Sequence, residues 1–166
     1  MTKLPIKMRR ANKEDSSDLL CWRNDPLTRM MSRNQDRVEP DVHERWYQKV
    51  LADSKCLLLI GELSNHSIGM VRFDGMQTKN SWEVSIMLAP MHRKRGLSKP
   101  LLYAAICHLR LLKDKQLVKE NELIDLIAEI KPDNTASKKL FENIGFKCIS
   151  DKTDMLKYFY SIAPLD

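Results

Sequence analysis

A basic loop is the segment whose residue types and spacing point most directly to chemistry. It consists of seven residues, four of them basic: Arg93, Lys94, Arg95, Gly96, Leu97, Ser98 and Lys99. A predicted strand precedes it and a predicted helix follows, so unpaired amides of the first helical turn would face a ligand. The helix dipole adds about half a positive charge there, and the glycine lets a ligand approach the backbone closely. The loop therefore predicts a pyrophosphate site, with a solvated basic turn as the alternative.

A second segment, about forty residues downstream, has polar and aromatic residues at a fixed spacing. It reads Asn134-x-x-Ser137-x-x-x-Phe141-x-x-x-Gly145-Phe146. Pro132-Asp133-Asn134 is typical of a helix start, and Gly145 is typical of a helix end. The segment therefore predicts a helix over Thr135–Ile144 that presents Asn134 at its N-terminus.

The elements that must position these two segments follow from the apolar patterns. The predicted strands are Ile6–Met8, Cys56–Leu63, Ile68–Phe73, Trp82–Leu88, Leu123–Ile130, Phe146–Ile149 and Met155–Ser161. The predicted helices cover residues 12–24, 41–52, 98–113 and 135–144. This order predicts a single α+β domain over residues 1–166, with a mixed, mostly antiparallel sheet of six to seven strands flanked by about four helices.

Three details of this prediction bear on the site. Val42, Trp46 and Val50 have a spacing of four, which predicts the buried face of the second helix. Residues 28–38 are polar without a clear period and predict an irregular segment, and residues 113–122 predict a charged connection.

Composition and charge exclude several classes of protein. The chain has 166 residues, a formal net charge of +6, 43% hydrophobic and 30% charged residues. No apolar stretch approaches the roughly 18 residues needed to span a membrane, so the expected location is cytoplasmic. The four cysteines form no CxxC pair, which argues against a zinc site. The positive charge suits an anionic partner, whether a nucleic acid, an acidic surface or a phosphorylated small molecule, and no aromatic or recognition-helix motif for nucleic acid is present.

Together the two segments resemble the GNAT superfamily of acetyl-CoA-dependent acyltransferases. The loop matches the hallmark R/Q-x-x-G-x-G/A as Arg93 to Ser98, and the later segment matches its partner N-x-x-A/S-x-x-x-Y/F-x-x-x-G-F as Asn134 to Phe146. The order of the predicted elements agrees along nearly the whole chain. The resemblance implies a GNAT-like domain that uses acetyl-CoA as cosubstrate and no metal.

The resemblance also implies where the cofactor lies. Pantetheine would occupy a V-shaped gap between the parallel strands Trp82–Leu88 and Leu123–Ile130 and pair with the backbone near Leu88. The pyrophosphate would contact the amides of residues 93–98. Asn134 would contact the cofactor from the opposite wall. Ser137 of the same motif is also a predicted cofactor-binding residue.

The implied reaction is direct attack of a primary amine on the acetyl thioester in a ternary complex. A lysine-like amine is neutral only about once in 2500 molecules at pH 7, so a base would help. Glu83 is the candidate base, because it lies on the strand face opposite Ile86 and Leu88 and matches a glutamate often found in relatives. The alternative is a solvent-facing strand residue. A bulge near Met87–Leu88 is expected to free a backbone N–H for the oxyanion.

Phe141 departs from the pattern, since many relatives have a tyrosine there that protonates the leaving thiolate. Ser137, Tyr103 and Tyr160 are possible substitutes. Because a thiol has a pKa near 8.5, water could also serve.

The acceptor is predicted from weaker signals in the N-terminal third. Trp22-Arg23-Asn24-Asp25, His43-x-x-Trp46 and Val71-Arg72-Phe73-Asp74 resemble a branch that acetylates nucleotide-linked amino sugars. Tryptophans stack on rings and arginines bind phosphates, so Trp22, Arg23 and Arg72 are candidate substrate residues. Core packing for Trp22 and surface ion pairs for both arginines are the alternatives. Acetylation of a protein N-terminus or lysine, and a non-enzymatic cofactor- or nucleic-acid-binding module, remain open, as does a monomer or a homodimer.

Overall fold

Strands and helices alternate along the chain much as the apolar patterns predict. A computed structural model describes residues 5–78, 80–112, 122–151 and 154–163, so the predicted connection 113–122 lies almost entirely outside the described residues. The strands are β1 Lys7–Arg10, β2 Cys56–Leu63, β3 His66–Gly75, β4 Ser81–Leu88, β5 Ile124–Ile130, β6 Lys147–Ser150 and β7 Leu156–Ile162. The α-helices are α1 Ser16–Asn24, α2 Pro26–Met31, α3 Pro40–Ala52, α4 Ser98–Leu111 and α5 Thr135–Ile144.

The seven strands form one sheet in the order β1-β2-β3-β4-β5-β7-β6. Neighbouring strands are antiparallel except for β4 and β5, which are parallel. Parallel neighbours need a crossover connection, and α4 lies in that connection. The predicted α+β class and mixed sheet are therefore confirmed.

Helices cover both faces of the sheet. On one face, α4 and α5 pack on the larger apolar cluster, which includes Leu101, Leu109, Leu126 and Phe141. On the other face, α1 and α3 pack on a smaller cluster that includes Leu19, Trp22, Tyr47 and Ile60. Alternate residues of β4 therefore face two different helical layers.

The helix α2 corrects the prediction that residues 28–38 are irregular throughout. Asp25 ends α1 and caps α2, since its Oδ1 accepts hydrogen bonds from the amides of Leu27 (3.1 Å) and Thr28 (3.0 Å). Pro26 occupies the first helical turn, where its missing N–H costs nothing. A six-residue helix is too short to show an apolar period, so only the cap signalled it.

The buried face of α3 also differs from the prediction. Val42 is 49% exposed and Trp46 36% exposed, whereas His43, Tyr47 and Val50 are buried. The Tyr47 hydroxyl donates to the Asn12 carbonyl (2.6 Å), so its polar end is satisfied in the interior. The buried face of α3 therefore contains His43, Tyr47 and Val50, of which the spacing of four predicted Val50 alone.

None of the helices within the described ranges is long and apolar enough to cross a membrane.

Candidate active site

A gap opens in the sheet where β4 and β5 part. Their parallel pairing covers only Ser81–Glu83 against Asp125–Ile127. The Asn80 carbonyl accepts from the Asp125 amide (3.0 Å), whereas the Ala89 amide donates to Ile68 on the β3 side (2.9 Å). Because strand backbone groups alternate between the two edges, the N–H and C=O groups of Ile86 and Leu88 point toward the gap.

The predicted bulge near Met87–Leu88 is wrong. Pairing between β3 and β4 runs without a register shift from Gly69↔Leu88 to Gly75↔Trp82. The free amides at the end of β4 arise because β5 diverges, so no extra residue is needed to release them.

A cavity of about 450 Å³ lies at the open end of this gap. The end of β4, the helix α2, the basic loop and the start of α5 form its walls. Five of the ten predicted cofactor residues line it: Leu88, Arg93, Ser98, Asn134 and Ser137. The other five follow Arg93 in the loop or lie at the start of α4: Lys94, Arg95, Gly96, Leu97 and Lys99.

The backbone of the basic loop is arranged as an anion site requires. Lys94 (φ 58°) and Gly96 (φ 70°) are left-handed, a conformation that costs a non-glycine residue roughly 1–2 kcal/mol. No described residue accepts a hydrogen bond from the amides of residues 94–99, and the helical pattern begins with Leu101 N–H donating to Leu97 (3.0 Å). The Arg93 amide is used internally, since it donates to Pro90 (3.3 Å). An added Cβ at Gly96 would meet no atom within 4 Å, so the loop has room for a phosphate.

The side chains of the loop divide into bound and free cations. Arg93 forms an ion pair with Asp25 (Nη1 to Oδ1, 2.7 Å) and donates from Nη2 to Thr28 Oγ1 (2.6 Å). Arg95 contacts His92 Nδ1 (3.0 Å). Lys94 and Lys99 have no acidic partner among the described residues, so they are the cations available to an anionic ligand.

The downstream segment faces the loop across the cavity. Asn134 Oδ1 caps α5 by accepting from the Ser137 amide (3.1 Å), and its Nδ2 donates to no described residue. Phe141 is buried in edge contact with Phe146 (4.9 Å between centroids) and borders the gap. Among the proposed substitutes for a tyrosine hydroxyl, only Ser137 borders the gap. Tyr103 is 62% exposed on α4, and Tyr160 packs on Phe146.

Glu83 lies where β4 and β5 separate. It borders a cavity of about 270 Å³ together with Glu129 and Ser85. Glu129 is paired with Arg33 and with Lys157 (3.5 Å). Glu83 is exposed and has no cationic partner among the described residues. Of the two carboxylates here, Glu83 is thus the one free to accept a proton.

A third cavity, of about 540 Å³, lies on the Glu83 face of the sheet beneath α1 and α3. It shares Thr28 and Ser32 of the α2 region with the cavity at the end of β4. Arg23 and Arg72 line it, whereas Trp22 is 7% exposed, packs in the smaller core cluster and lines none of the three cavities.

The two arginines of this cavity are held differently. Arg72 donates from Nε (2.9 Å) and Nη2 (2.7 Å) to Asp74, and its guanidinium lies 5.4 Å from the centre of the Trp46 ring. Arg23 donates from Nη2 to the Asn34 carbonyl (2.7 Å), while its buried Nη1 has no hydrogen-bond partner among the described residues. Desolvation and the nearby Arg29 lower the Arg23 pKa, against an opposing effect of Asp36.

His43 contributes an acceptor to the same cavity. Its Nε2 lies 2.9 Å from the Ser16 carbonyl, which can only accept, so Nε2 carries the proton and Nδ1 is an acceptor. Burial lowers the pKa of His43, which keeps the ring neutral near pH 7. Thr28 and Ser32 of the α2 region were not predicted as site residues, because their helix was missed. No group of His, Cys, Asp or Glu in the described ranges could hold a metal ion.

Comparison with known proteins decides the family. The family model described as acetyltransferase (GNAT) domain matches residues 6–147. The chain belongs to the GNAT family of acetyltransferases. Its fold and membership place it among the N-acetyltransferases.

Solved structures of this family share its fold. Spermidine N-acetyltransferase from Vibrio cholerae, solved with CoA and spermine, gives a TM-score of 0.77 at 16% identity over 95% of each chain. Ribosomal-protein-alanine N-acetyltransferase from Brucella melitensis gives 0.71 at 20% identity, over 95% of this chain and 99% of that one. N-acetyltransferase PseH from Campylobacter jejuni gives a TM-score of 0.66 at 18% identity, over 93% of this chain and 96% of that one. A comparison with curated protein sequences finds no match to the chain.

Proposed function

We propose that this GNAT protein uses acetyl-CoA to acetylate the primary amine of a small molecule, and that the acceptor is a nucleotide-linked amino sugar. The observation that carries the cofactor assignment is the set of unbonded amides at residues 94–99 beside the free edge of β4. Lys94 and Lys99 supply charge for the phosphates. Asn134 Nδ2 and the gap-facing groups of Leu88 supply hydrogen bonds for the pantetheine amides. These residues fit the cofactor that several family members were solved with.

The cavity beneath α1 and α3 supports the acceptor assignment. Two arginines beside a half-exposed tryptophan are suited to a phosphate-bearing ring compound, since guanidinium groups bind phosphate and indoles stack on rings. A polyamine would instead find Arg23 repulsive, whereas the charge of Arg72 is balanced by Asp74.

Glu83 is the proposed general base. A neutral amine is needed for attack, and deprotonating a lysine-like amine at pH 7 costs roughly 4–5 kcal/mol. Glu83 lies on β4 at the point where β5 separates from it. Its carboxylate, which has no cationic partner among the described residues, can accept that proton directly or through one water. The thioester supplies the acetyl group: a C–N bond forms, the C–S bond breaks, and the thiolate takes a proton. Ser137, or water, is the proposed donor in place of a tyrosine.

Cofactor binding and acceptor class can be tested separately. Isothermal titration should show acetyl-CoA binding, and absence of binding would remove the proposal. Thiol release should then be measured with UDP-glucosamine, spermine and a peptide with a free alanine N-terminus. Release with UDP-glucosamine alone supports the nucleotide-linked class, whereas release with the peptide selects the protein-acetylating alternative.

The role of Glu83 needs its own variant and control. Glu83→Gln should lower kcat by about 10²–10⁴-fold, the usual contribution of a general base, while acetyl-CoA binds as before. Glu14→Gln, which neutralises an exposed carboxylate away from the three cavities, is the matched control. Equal turnover in both variants would exclude Glu83 as the base.

A further inference from the structure

The short helix α2 is fixed at both ends across the gap in the sheet. At its N-terminal end, Arg93 of the basic loop contacts Asp25 (2.7 Å) and Thr28 (2.6 Å). At its C-terminal end, Lys131 Nζ donates to the Met30 carbonyl (2.9 Å), and Arg33 pairs with Glu129 of β5. The helix therefore connects the cofactor loop on the β4 side with the β5 side.

The same helix separates the cofactor cavity from the acceptor cavity. Leu27 and Met31 line the cofactor cavity but not the acceptor cavity, whereas Thr28 lines both. Arg93 holds Thr28 directly. A shift of α2 would therefore change the shape of the acceptor cavity and of the cofactor cavity.

The Arg93 guanidinium makes this contact with two of its three nitrogens. Its Nη1 and Nη2 are both used by Asp25 and Thr28, and its side chain is only 23% exposed. A lysine at this position would offer one nitrogen in place of the two that contact Asp25 and Thr28 in arginine. Lys94 and Lys99 lie in the same loop and have no acidic partner among the described residues, so they can bind the phosphates.

We propose that Arg93 is a positioning residue, which anchors α2 to the cofactor loop and sets the acceptor cavity, and that its guanidinium is not a phosphate ligand. The inference rests on the proposed function only for the identity of the two ligands. The anchoring itself is a property of the chain and can be measured without either.

The first test measures anchoring by hydrogen exchange of the peptide over residues 26–33. Two variants break the ion pair from opposite sides: Arg93→Met and Asp25→Asn. Asparagine caps a helix as well as aspartate does, so Asp25→Asn removes the pairing charge and keeps the cap. Arg45→Met is the control, since it removes an arginine from an exposed ion pair on α3 (3.0 Å to Asp41).

Both ion-pair variants should raise exchange of this peptide by about tenfold, the factor that corresponds to about 1.4 kcal/mol. The α4 peptide should not change in either variant, and the control should change neither peptide. Unchanged exchange over residues 26–33 in either ion-pair variant would overturn the anchoring. This readout stands even if the chain binds no acetyl-CoA, so its failure is distinct from failure of the proposed function.

The second test separates anchoring from phosphate binding. Both ion-pair variants should raise the KM for UDP-glucosamine about tenfold, and both should change the acetyl-CoA Kd from titration by the same factor, because each releases the same helix. If Arg93→Met weakens acetyl-CoA tenfold and Asp25→Asn does not, the guanidinium binds phosphate and the proposal is wrong. Thermal unfolding of each variant checks that the fold is retained.

Discussion

Gly69 of β3 lies directly opposite Leu88, the residue of β4 whose backbone faces the gap. A Cβ added at Gly69 would lie 2.5 Å from the Met87 carbonyl oxygen and 3.0 Å from Leu88 Cα. Both atoms are backbone, so neither can rotate away. To reach even 3.0 Å from the oxygen, β4 must move by about 0.5 Å (3.0 − 2.5). Gly69→Ala should therefore displace the edge that we assign to pantetheine.

Two effects of Gly69→Ala can be sized from this geometry. Overpacking of a well-packed interior costs about 1–3 kcal/mol of unfolding free energy. Misaligning one backbone hydrogen bond to pantetheine costs about 0.5–1.5 kcal/mol, which raises the acetyl-CoA Kd by about two- to twelvefold. Urea denaturation measures the first effect, and isothermal titration measures the second.

Gly61→Ala is the matched control on the neighbouring strand β2. Its added Cβ would meet the tip of the Leu101 side chain, which can rotate, and no backbone atom is among its nearest neighbours. It should cost stability without changing acetyl-CoA affinity. If Gly69→Ala binds acetyl-CoA as tightly as Gly61→Ala does, the end of β4 is not the cofactor edge and our reasoning about the gap is refuted.

Two further predictions concern groups buried by the fold. Burial lowers the His43 pKa, so below about pH 6.5 the unfolded chain takes up this proton more readily and the unfolding free energy falls as pH drops. Urea denaturation between pH 5 and 7.5 should show that the unfolding free energy falls less with decreasing pH in His43→Gln than in the unaltered protein. Equal slopes of unfolding free energy against pH in the two proteins would contradict this prediction. Burial raises the Cys56 pKa to about 11, so a thiol reagent at pH 8 should label the exposed Cys21 and Cys148 first. If Cys56 in the native protein were labelled as fast as Cys21 and Cys148, its burial would be excluded.

The parts of the fold that could be predicted from the sequence are those with local signals. Cys56–Leu63 and Thr135–Ile144 have the predicted bounds, since one is a long apolar run and the other has a cap at each end. The family itself was identified correctly from Arg93 to Ser98 with Asn134 to Phe146. Local pattern therefore sufficed for the architecture and for the family, whereas the helix α2, which also lines the cavity at the end of β4, was missed.

The rest depends on contacts between distant residues. Tyr47 is buried because it reaches the Asn12 carbonyl, 35 positions earlier, and no helical period encodes that bond. Arg93 donates to Thr28, which is 65 positions away in the sequence. The residues of the loop alone therefore could not predict that Arg93 contacts α2. The free amides of β4 likewise depend on where β5 diverges, which a strand pattern does not specify.

The parting of β4 and β5 leaves a strand edge inside the molecule. Open edges usually invite pairing with other chains, and proteins protect them. Here the helix α2 lies across the opening, so a broad partner such as another sheet is excluded while a narrow chain can enter. An extended compound with amides at strand spacing could pair with this edge by β-strand addition. Competitors of the cofactor could thus be designed as short peptide-like strands, without any phosphate.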